Sequence, residues 1–383
     1  MENLTKTILG TFKQPSQKAR TQLQSLVRGN SEVPNIYSRN VSEALYLGLQ
    51  LLKDNGEWID SRSGRVIEYP APVMTVYQRP EERVLFYPCR DANPFFHLFE
   101  ALWMLAGRND LSYVKQFNKR MEEFSDDGLK LNGAYGFRWR HSTFDQGEDY
   151  VPFQFDQLDL LVKHLTEHPE SRRGVLQMWS VHDLNQVVEN PATKDVPCNT
   201  QVYFKIKNNK LNMTVSCRSN DIIWGTYGAN AVHFSILQEY MAARLGLGMG
   251  TYYHLSDSYH AYEKVYEKTL DVLNQVNVGD TLWYDSYLGW NKGMHYTPEP
   301  MFTHPKDADR DINNFVVAPF RTDKWSNNFF PETAVPMLRA WEAHQERDYD
   351  LAFKKISSIR ALDWRKAGTE WLERREMNLK SRK

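Results

Sequence analysis

The chain has 383 residues, of which 41% are hydrophobic and 25% are charged, and its formal net charge at pH 7 is -1. This is the composition of a globular protein with a substantial core, and the balanced charge gives no general attraction to polynucleotides. No apolar run approaches the ~18 residues of a membrane span. The three cysteines are too few for a disulfide framework, and their spacing does not fit a zinc site. We therefore expect a cytoplasmic protein with no membrane association and no bound metal.

The first part of the chain is predicted to mix helices and strands. Residues 1–40 are polar and have no firm period, so we expect an extension there. A helix is predicted over 41–54, followed by strands over 73–78 and 83–88. A strongly apolar helix is predicted over 94–106, with a proline in its first turn and a glycine after its end.

The rest of the chain adds one clear hairpin. Residues 201–218 form two β-rich runs around an Asn-Asn-Lys turn, and a loop followed by a strand is predicted within 171–180. Helices are predicted over 155–168, 231–245 and 258–275, and two more, polar and amphipathic, from Pro331 onward. Because strands and helices are mixed without regular βαβ units, the pattern favours the α+β class.

Cys198 is the first candidate for chemistry. It lies in the segment VPCNT, just before the hairpin, whose second strand ends at Arg218. The hairpin can bring these two side chains together, and an adjacent guanidinium lowers the pKa of a thiol and favours the thiolate. The alternative is an inert core cysteine. We favour that alternative for Cys89 and Cys217, which lack such a neighbour in the predicted arrangement.

A group of arginines is the second candidate. Arg172 and Arg173 are adjacent in a predicted loop, and Arg62 lies in a turn-rich segment. A single arginine most often belongs to a solvated ion pair. Together with Arg218 and the adjacent Ser219, however, these residues could bind a phosphate group through bidentate donors.

Glu100 is the most informative acid in the sequence. It lies in the otherwise apolar helix FFHLFEALWML, where a charge is costly unless it is paired or used. Burial would make this carboxylate easier to protonate and would suit it to proton transfer.

Several motifs together resemble the thymidylate synthase family. In chain order they are FEALWMLAG, GAYGFRWR, SRRGVLQMWSVHDL, VPCNTQVYFKI, RSNDIIWGTYGANAVHFSIL and SYHAY, within residues 45–270. The resemblance implies a mixed α/β layer fold with large twisted sheets, and a homodimer whose subunits pack sheet to sheet. We therefore expect a catalytic domain over 41–300 and a C-terminal extension over 301–383, largely helical from about residue 331.

The resemblance also implies a role for each motif residue. Cys198 is similar to the nucleophile that adds to C6 of a pyrimidine nucleotide, and Glu100 and Tyr135 resemble residues that handle protons around C5 and O4. The remaining positions resemble the phosphate ligands (Arg62, Arg218 and Ser219), the arginine pair that crosses the dimer interface (Arg172 and Arg173), the base-reading residue (Asn230), the ligands of the sugar hydroxyl (His260 and Tyr262) and the acid that holds the folate pterin (Asp221). The implied co-substrate is 5,10-methylenetetrahydrofolate.

The chain departs from the synthase pattern in three places. The stretch 111–132 lacks the tryptophans that help to cover the folate. The chain ends in REMNLKSRK instead of a short apolar tail that closes over the folate. The loop 225–230 is one residue longer, so Ala229 is an alternative to Asn230 at the base.

These departures bear on how the reaction ends. A synthase excludes water while a hydride passes from the folate, whereas a hydroxymethylase lets water add. SYHAY and RSND also resemble bacteriophage deoxycytidylate hydroxymethylases, which carry Asp where Asn230 is placed. An asparagine amide matches O4 and N3–H of uracil. We therefore expect a deoxyuridylate hydroxymethyltransferase, of the kind encoded by phages that replace thymine, which would act in a bacterial or phage-infected cell.

Two alternatives remain. The first is a thymidylate synthase that makes dTMP from dUMP. The second is a non-catalytic binding relative, which is disfavoured because the nucleophile and the phosphate cluster are intact.

Overall fold

A mixed eight-stranded sheet forms the centre of the computed structural model, which describes residues 33–144, 153–276, 287, 296–321 and 324–381. Its strands are β1 (Asn35–Ser38), β2 (Glu57–Ser61), β3 (Gly64–Glu68), β4 (Val73–Tyr77), β7 (Val175–Gln177), β8 (Asn199–Lys207), β9 (Lys210–Asp221) and β10 (Gly248–Tyr262). The main order is β1-β4-β10-β9-β8-β7. The β2–β3 hairpin lies off this path and pairs with β10 through β3. A separate pair is formed by β5 (Ser142–Phe144) and β6 (Phe153–Phe155).

Helices pack against this sheet, and the mixture of helices and strands confirms the α+β prediction. They are α1 (Val41–Asn55), α2 (Pro94–Leu105), α3 (Leu111–Val114), α4 (Tyr135–Arg140), α5 (Gln157–Glu167), α6 (Val181–Glu189), α7 (Asn230–Arg244), α8 (Glu263–Thr269), α9 (Asp271–Val276), α10 (Ala308–Val317), α11 (Val335–Gln345), α12 (Tyr349–Ser357) and α13 (Leu362–Lys380). In the part of the chain that the structure describes, no helix is long and apolar enough to cross a membrane.

The predicted hairpin is present and determines where Cys198 lies. β8 and β9 are joined at Asn208 and Asn209, both in the left-handed conformation (φ 52° and 57°) that a tight type I′ turn requires. β9 then runs parallel to β10, so that Asp221 pairs with His260. The start of β8 and the ends of β9 and β10 therefore lie together at one end of the sheet.

α2 and α7 pack against each other beside this end of the sheet. Every residue of α2 is buried, as expected for a helix that is apolar on all sides. Asn93 caps its first turn by accepting a hydrogen bond from the Phe96 amide, and Pro94 occupies the position where a missing N–H costs nothing. The two helices supply the buried acid and histidines described below.

Three sequence predictions were wrong in detail. The run 83–88 pairs with no described strand, and its β-prone residues instead fill the core, since Val84, Leu85, Phe86 and Tyr87 are all buried. The predicted helix over 258–275 begins only at Glu263, because β10 pairs with β9 as far as His260 and with β3 as far as Tyr262.

The third correction concerns the C-terminal extension. It contains three helices after residue 334, where two were predicted, because Arg347 adopts a left-handed conformation (φ 63°) that ends α11. Trp341 of α11 and Trp371 of α13 each lie 5.5 Å, between ring centroids, from Phe95 of α2. Of the predicted N-terminal extension, residues 1–32 lie outside the described residues, and β1 forms part of the sheet beside β4.

Candidate active site

The thiol of Cys198 lies half-buried at the start of β8, next to Arg218. The Arg218 amide donates a hydrogen bond of 2.9 Å to the Cys198 carbonyl, and its Nη2 lies 3.9 Å from Sγ. The guanidinium is held in place from two sides. Its Nε donates to the carbonyl of Pro197 at 3.0 Å, and it lies 5.1 Å over the ring of Trp179.

The electrostatics of the thiol differ from the sequence prediction. Burial raises the pKa of Cys198, and this effect outweighs the opposing influence of Arg218 and of Arg62. The expected net lowering of the pKa is therefore wrong. The free-energy cost of removing the thiolate from water exceeds its stabilisation by the two cations. The arginines still make the thiolate less costly than burial alone would.

A group of polar side chains, which we call the amide cluster, adjoins Cys198, and all of its members except Asn230 are buried. It consists of Asn199, Asn220, Asn230, His254 and Ser256. Asn199 Nδ2 donates to Asn230 Oδ1 at 3.3 Å, and Asn230 Nδ2 donates to Asn220 Oδ1 at 3.2 Å. Asn220 Nδ2 also donates to Ser256 Oγ at 2.9 Å, while Nε2 of His254 lies 3.2 Å from Asn199 Oδ1. Burial lowers the pKa of His254 to about 3, so this ring is neutral.

Sequence reasoning missed Asn199, Asn220 and His254. One signal was available for His254, since it alternates with Tyr252 and Ser256 on the buried face of a strand. Asn199 and Asn220 offered no local signal, because they meet only through the pairing of β8, β9 and β10.

Asp221 precedes the segment Ile222–Ala229, which contains a wide, π-type turn and is kinked at Tyr227 and Gly228, whose backbone angles are not helical. Its Oδ1 accepts hydrogen bonds of 2.7 Å from the amides of Ile223 and Trp224. Its Oδ2 is buried and has no hydrogen-bond partner among the described residues. Burial raises the pKa of Asp221, and the charges of His260 and Arg90 oppose this.

The segment Ile222–Ala229 ends in one wide turn, which leads into α7. The Asn230 amide donates to the carbonyl of Gly225, five residues earlier, which is the hydrogen bond of a π-turn. Asn230 therefore contacts the amide cluster through its side chain. A Cβ on Gly225 would lie 2.5 Å from Asn220 Oδ1 and 3.0 Å from Asn230 Nδ2, so only glycine fits there without displacing them.

Glu100 is buried in α2 and contacts His233 of α7, with 3.1 Å between Oε2 and Nε2. The sequence indicated that a charge in this apolar helix must be paired or used, and a partner is present. The side chain of Glu100 is 11% exposed and that of His233 is 3% exposed.

Tyr135 begins α4, and its hydroxyl lies 3.5 Å from the backbone N–H of Asn199, which donates a hydrogen bond to it. Burial raises the pKa of Tyr135 far above its ordinary value. The loop before α4 is tied to the segment that precedes Cys198, because Asp195 accepts hydrogen bonds of 2.7 Å from the amides of Asn132 and Gly133. Tyr135 and Cys198 are thus positioned by one shared anchor.

The ends of β9 and β10 carry further predicted residues. His260 is buried, its Nδ1 lies 3.0 Å from Ser258 Oγ, and its ring meets that of Tyr262 edge-on with centroids 5.6 Å apart. Ser219 pairs with Ser258 across the two strands. These residues therefore share the end of the sheet that holds Cys198 and Asp221.

The remaining arginines differ in their surroundings. Arg62 lies in the turn between β2 and β3, and its Nη1 donates to the carbonyl of Thr193 at 2.9 Å, which ties this turn to the loop before Cys198. Arg172 and Arg173 are exposed just before β7. Neither guanidinium has an ion-pair or hydrogen-bond partner in the part of the chain that the structure describes, so they do not join the Cys198 group within one subunit.

A cysteine beside a fixed guanidinium and next to a cluster of amide side chains is the arrangement expected of an enzyme that works by nucleophilic catalysis. Comparison with known proteins makes this specific, because the family model described as thymidylate synthase matches residues 61–280. The chain belongs to the thymidylate synthase family, and it is an enzyme that transfers one-carbon groups. Enzymes of this family use methylenetetrahydrofolate as co-substrate.

Three relatives illustrate the similarity. The chain is 42% identical to the deoxyuridylate hydroxymethyltransferase of Pseudomonas phage M6, over 91% of this chain and 96% of the relative. It is 35% identical to the deoxyuridylate hydroxymethyltransferase of Bacillus phage SP01, over 68% and 70% of the two chains. It is 30% identical to the thymidylate synthase of Symbiobacterium thermophilum, over 44% of this chain and 59% of that enzyme.

Proposed function

We propose that this protein transfers a one-carbon unit from methylenetetrahydrofolate to C5 of deoxyuridylate and completes the reaction with water, giving 5-hydroxymethyl-dUMP. The observation that carries this proposal is the extent of the similarity to the phage M6 hydroxymethyltransferase. That similarity covers 91% of the chain, whereas the similarity to the bacterial synthase covers 44%.

The amide cluster supports uracil as the base. An asparagine amide has two N–H donors and two acceptor lone pairs. Asn230 uses one donor toward Asn220 and one acceptor toward Asn199, so one of each is left. The remaining donor and acceptor match O4 and N3–H of uracil.

Cations near the thiol support a nucleotide phosphate. Arg62, Arg218 and Ser219 would bind it from within the subunit, while His260 and Tyr262 would bind the sugar hydroxyl. Guanidinium groups recognise phosphate through paired hydrogen bonds, which suits a substrate held in one orientation.

A homodimer would complete this phosphate site. α6 carries Val181, Leu184 and Val188 on one face, and they are 84%, 55% and 69% exposed. An apolar face of this kind is typical of a surface that another chain covers. The exposed Arg172 and Arg173 lie close by in sequence and would bind the phosphate in the partner's site.

Asp221 and Trp224 are the residues that would hold the folate. The buried Oδ2 of Asp221 can accept a hydrogen bond from the N–H groups of a pterin. The exposed ring of Trp224 lies 4.7 Å from the guanidinium of Arg90, whose Nε donates to the carbonyl of Ile223 at 3.0 Å. The folate would supply the one-carbon unit.

The thiolate of Cys198 adds to C6 of the pyrimidine and forms an S–C6 bond, and the electron pair of C5=C6 makes C5 nucleophilic. Once C5 carries the one-carbon unit as a methylene group and has given its proton to solvent through Glu100, water adds to that methylene. The water oxygen bonds to carbon, its proton passes to Glu100, and the methylene electrons move toward O4. They then restore C5=C6 as the S–C6 bond breaks and releases Cys198.

Product analysis tests this proposal. Purified protein is incubated with dUMP and methylenetetrahydrofolate, and the products are identified by mass. We expect 5-hydroxymethyl-dUMP with tetrahydrofolate. Thymidylate with dihydrofolate would instead establish the synthase alternative, and the absence of either product at a correctly folded protein would favour a non-catalytic relative.

A further inference from the structure

Glu100 belongs to a buried group of ionisable side chains that the one-carbon chemistry does not by itself explain. His97 and Glu100 lie one turn apart on α2, and His233 contacts Glu100 from α7. All three residues are buried. Two histidines beside a carboxylate inside an apolar helix pair would be costly as packing alone.

The position of His233 links this group to the base. Asn230 and His233 are three residues apart in the first turn of α7, so they lie on the same side of that helix. Asn230 contacts Asn199, which follows Cys198 in the chain. The Glu100–His233 pair therefore lies about one helical turn from the amide that would read the pyrimidine.

The charges around the pair separate the roles of the two histidines. Burial holds the pKa of His97 well below its ordinary value, and the positive charges of Arg90 and His233 act in the same direction. His97 is therefore neutral at physiological pH. His233 is the histidine within ion-pair distance of Glu100.

The contact is close without being a well-aligned hydrogen bond. Nε2 of His233 lies 3.1 Å from Oε2 of Glu100, yet it has no hydrogen-bond partner of good geometry among the described residues. A buried polar nitrogen in this state is uncommon and is often found where function uses it.

We propose that His233 is the positioning residue for Glu100: it orients the carboxylate and shares the proton that Glu100 exchanges with the pyrimidine and with the attacking water. This inference rests on the proposed function for the water step. There, one O–H bond of water breaks, the oxygen bonds to the methylene carbon, and the proton moves to Glu100 and is shared with His233. In C5 hydrogen exchange, which needs only Cys198 addition to C6, the same pair delivers a solvent-derived proton to C5 and then removes the original one before the S–C6 bond breaks.

The test replaces His233 by glutamine, which keeps a hydrogen-bonding side chain but cannot carry a proton. His344→Gln on α11 is the matched control, because it makes the same change in a half-buried histidine of the C-terminal extension. We expect His233→Gln to lower kcat by about tenfold or more, with KM for dUMP changed less than about twofold. His344→Gln should retain wild-type kcat.

The pH dependence of kcat is a measurement that a merely structural role of His233 would not change. Because the proposed Glu100–His233 pair shares a proton and glutamine cannot carry one, the acid limb of the pH profile of kcat should move in His233→Gln. The neighbouring groups His97 and Arg90 are unchanged in this variant. An unshifted limb with kcat within about twofold of wild type would overturn the proposal.

A folate-free measurement separates this inference from the proposed function. Exchange of the C5 hydrogen of dUMP with deuterium from solvent is followed by mass in wild type and variant. Loss of exchange in His233→Gln supports the pair even if the wild-type product proves to be thymidylate. Unchanged exchange contradicts it even if the wild type makes 5-hydroxymethyl-dUMP. If His233→Gln does not fold, as judged by its thermal transition, His233→Asn is measured in the same way.

Discussion

The wide turn before α7 should make Gly225→Ala far more harmful to catalysis than to folding. A Cβ at this position would lie 2.5 Å from Asn220 Oδ1 and 3.0 Å from Asn230 Nδ2, so the two amides must separate. Their own hydrogen bond is 3.2 Å long and leaves little room for such a shift. A buried group left without its hydrogen bond costs about 1–3 kcal/mol, which is roughly fivefold to 150-fold in a rate or binding constant.

We therefore expect kcat/KM for dUMP to fall by about tenfold or more, since small displacements at a reacting site have large effects. The thermal midpoint should fall only by a few degrees, because alanine is a better helix former than glycine and offsets part of the loss. Steady-state kinetics and calorimetry on the purified variant give both values.

Gly248→Ala is the control for this experiment. Its added Cβ would meet Lys210 Cγ at 3.7 Å, which is ordinary van der Waals contact, so it should leave both values close to wild type. A Gly225→Ala enzyme with wild-type kcat/KM would refute the reasoning, because it would mean that the amide cluster does not control how the base is held.

Four further predictions follow from the same structure. Cys198→Ser should abolish turnover while dUMP still binds by calorimetry, because a hydroxyl is a far weaker nucleophile than a thiol at neutral pH; near-normal turnover would exclude Cys198 as the nucleophile. Arg172→Ala mixed with Cys198→Ala should regain activity if arginines cross a two-fold interface, and no recovery despite proven subunit exchange would contradict that role. Asn230→Asp should move the ratio of kcat/KM for dUMP and dCMP toward dCMP by about tenfold, and an unchanged ratio would remove Asn230 from the base. Asp91→Asn should lower the thermal midpoint by only about 1–3 °C, because it removes partly exposed ion pairs to Arg374 and Arg375 of α13; a much larger loss would show that these pairs hold the C-terminal helix in place.

Features that depend on neighbouring residues in the chain could be predicted from the sequence. The hairpin is local, and its turn residues determine the register of β8 and β9 as far as Gln201. An irregularity between Asn199 and Gln201, which the sequence did not indicate, then brings Cys198 opposite Arg218. The apolar pattern around Glu100 likewise indicated a buried acid in need of a partner. The identity of that partner, His233, could not be predicted, because α2 and α7 are separated by more than a hundred residues and meet only in the folded core.

The pKa of Cys198 was beyond the sequence for a different reason. A neighbouring cation and burial act on a thiol in opposite directions, and the sequence revealed only the cation. Nothing in the segment VPCNT indicates how deeply the sulfur is buried, since its burial depends on how β8 and the elements around it pack. Whether the pKa of the thiol rises or falls can be decided only once the packing around it is known.

The wide turn before α7 determines which side chain of the loop 225–230 faces the amide cluster. Each residue of a regular α-helix turns the chain by roughly 100°. One residue inserted into such a helix would therefore have rotated Asn230 away from the amide cluster and presented Ala229 in its place. The chain instead widens one turn, so that the Asn230 amide bonds to the carbonyl of Gly225, five residues earlier. From that turn the side chain of Asn230 reaches Asn199 and Asn220.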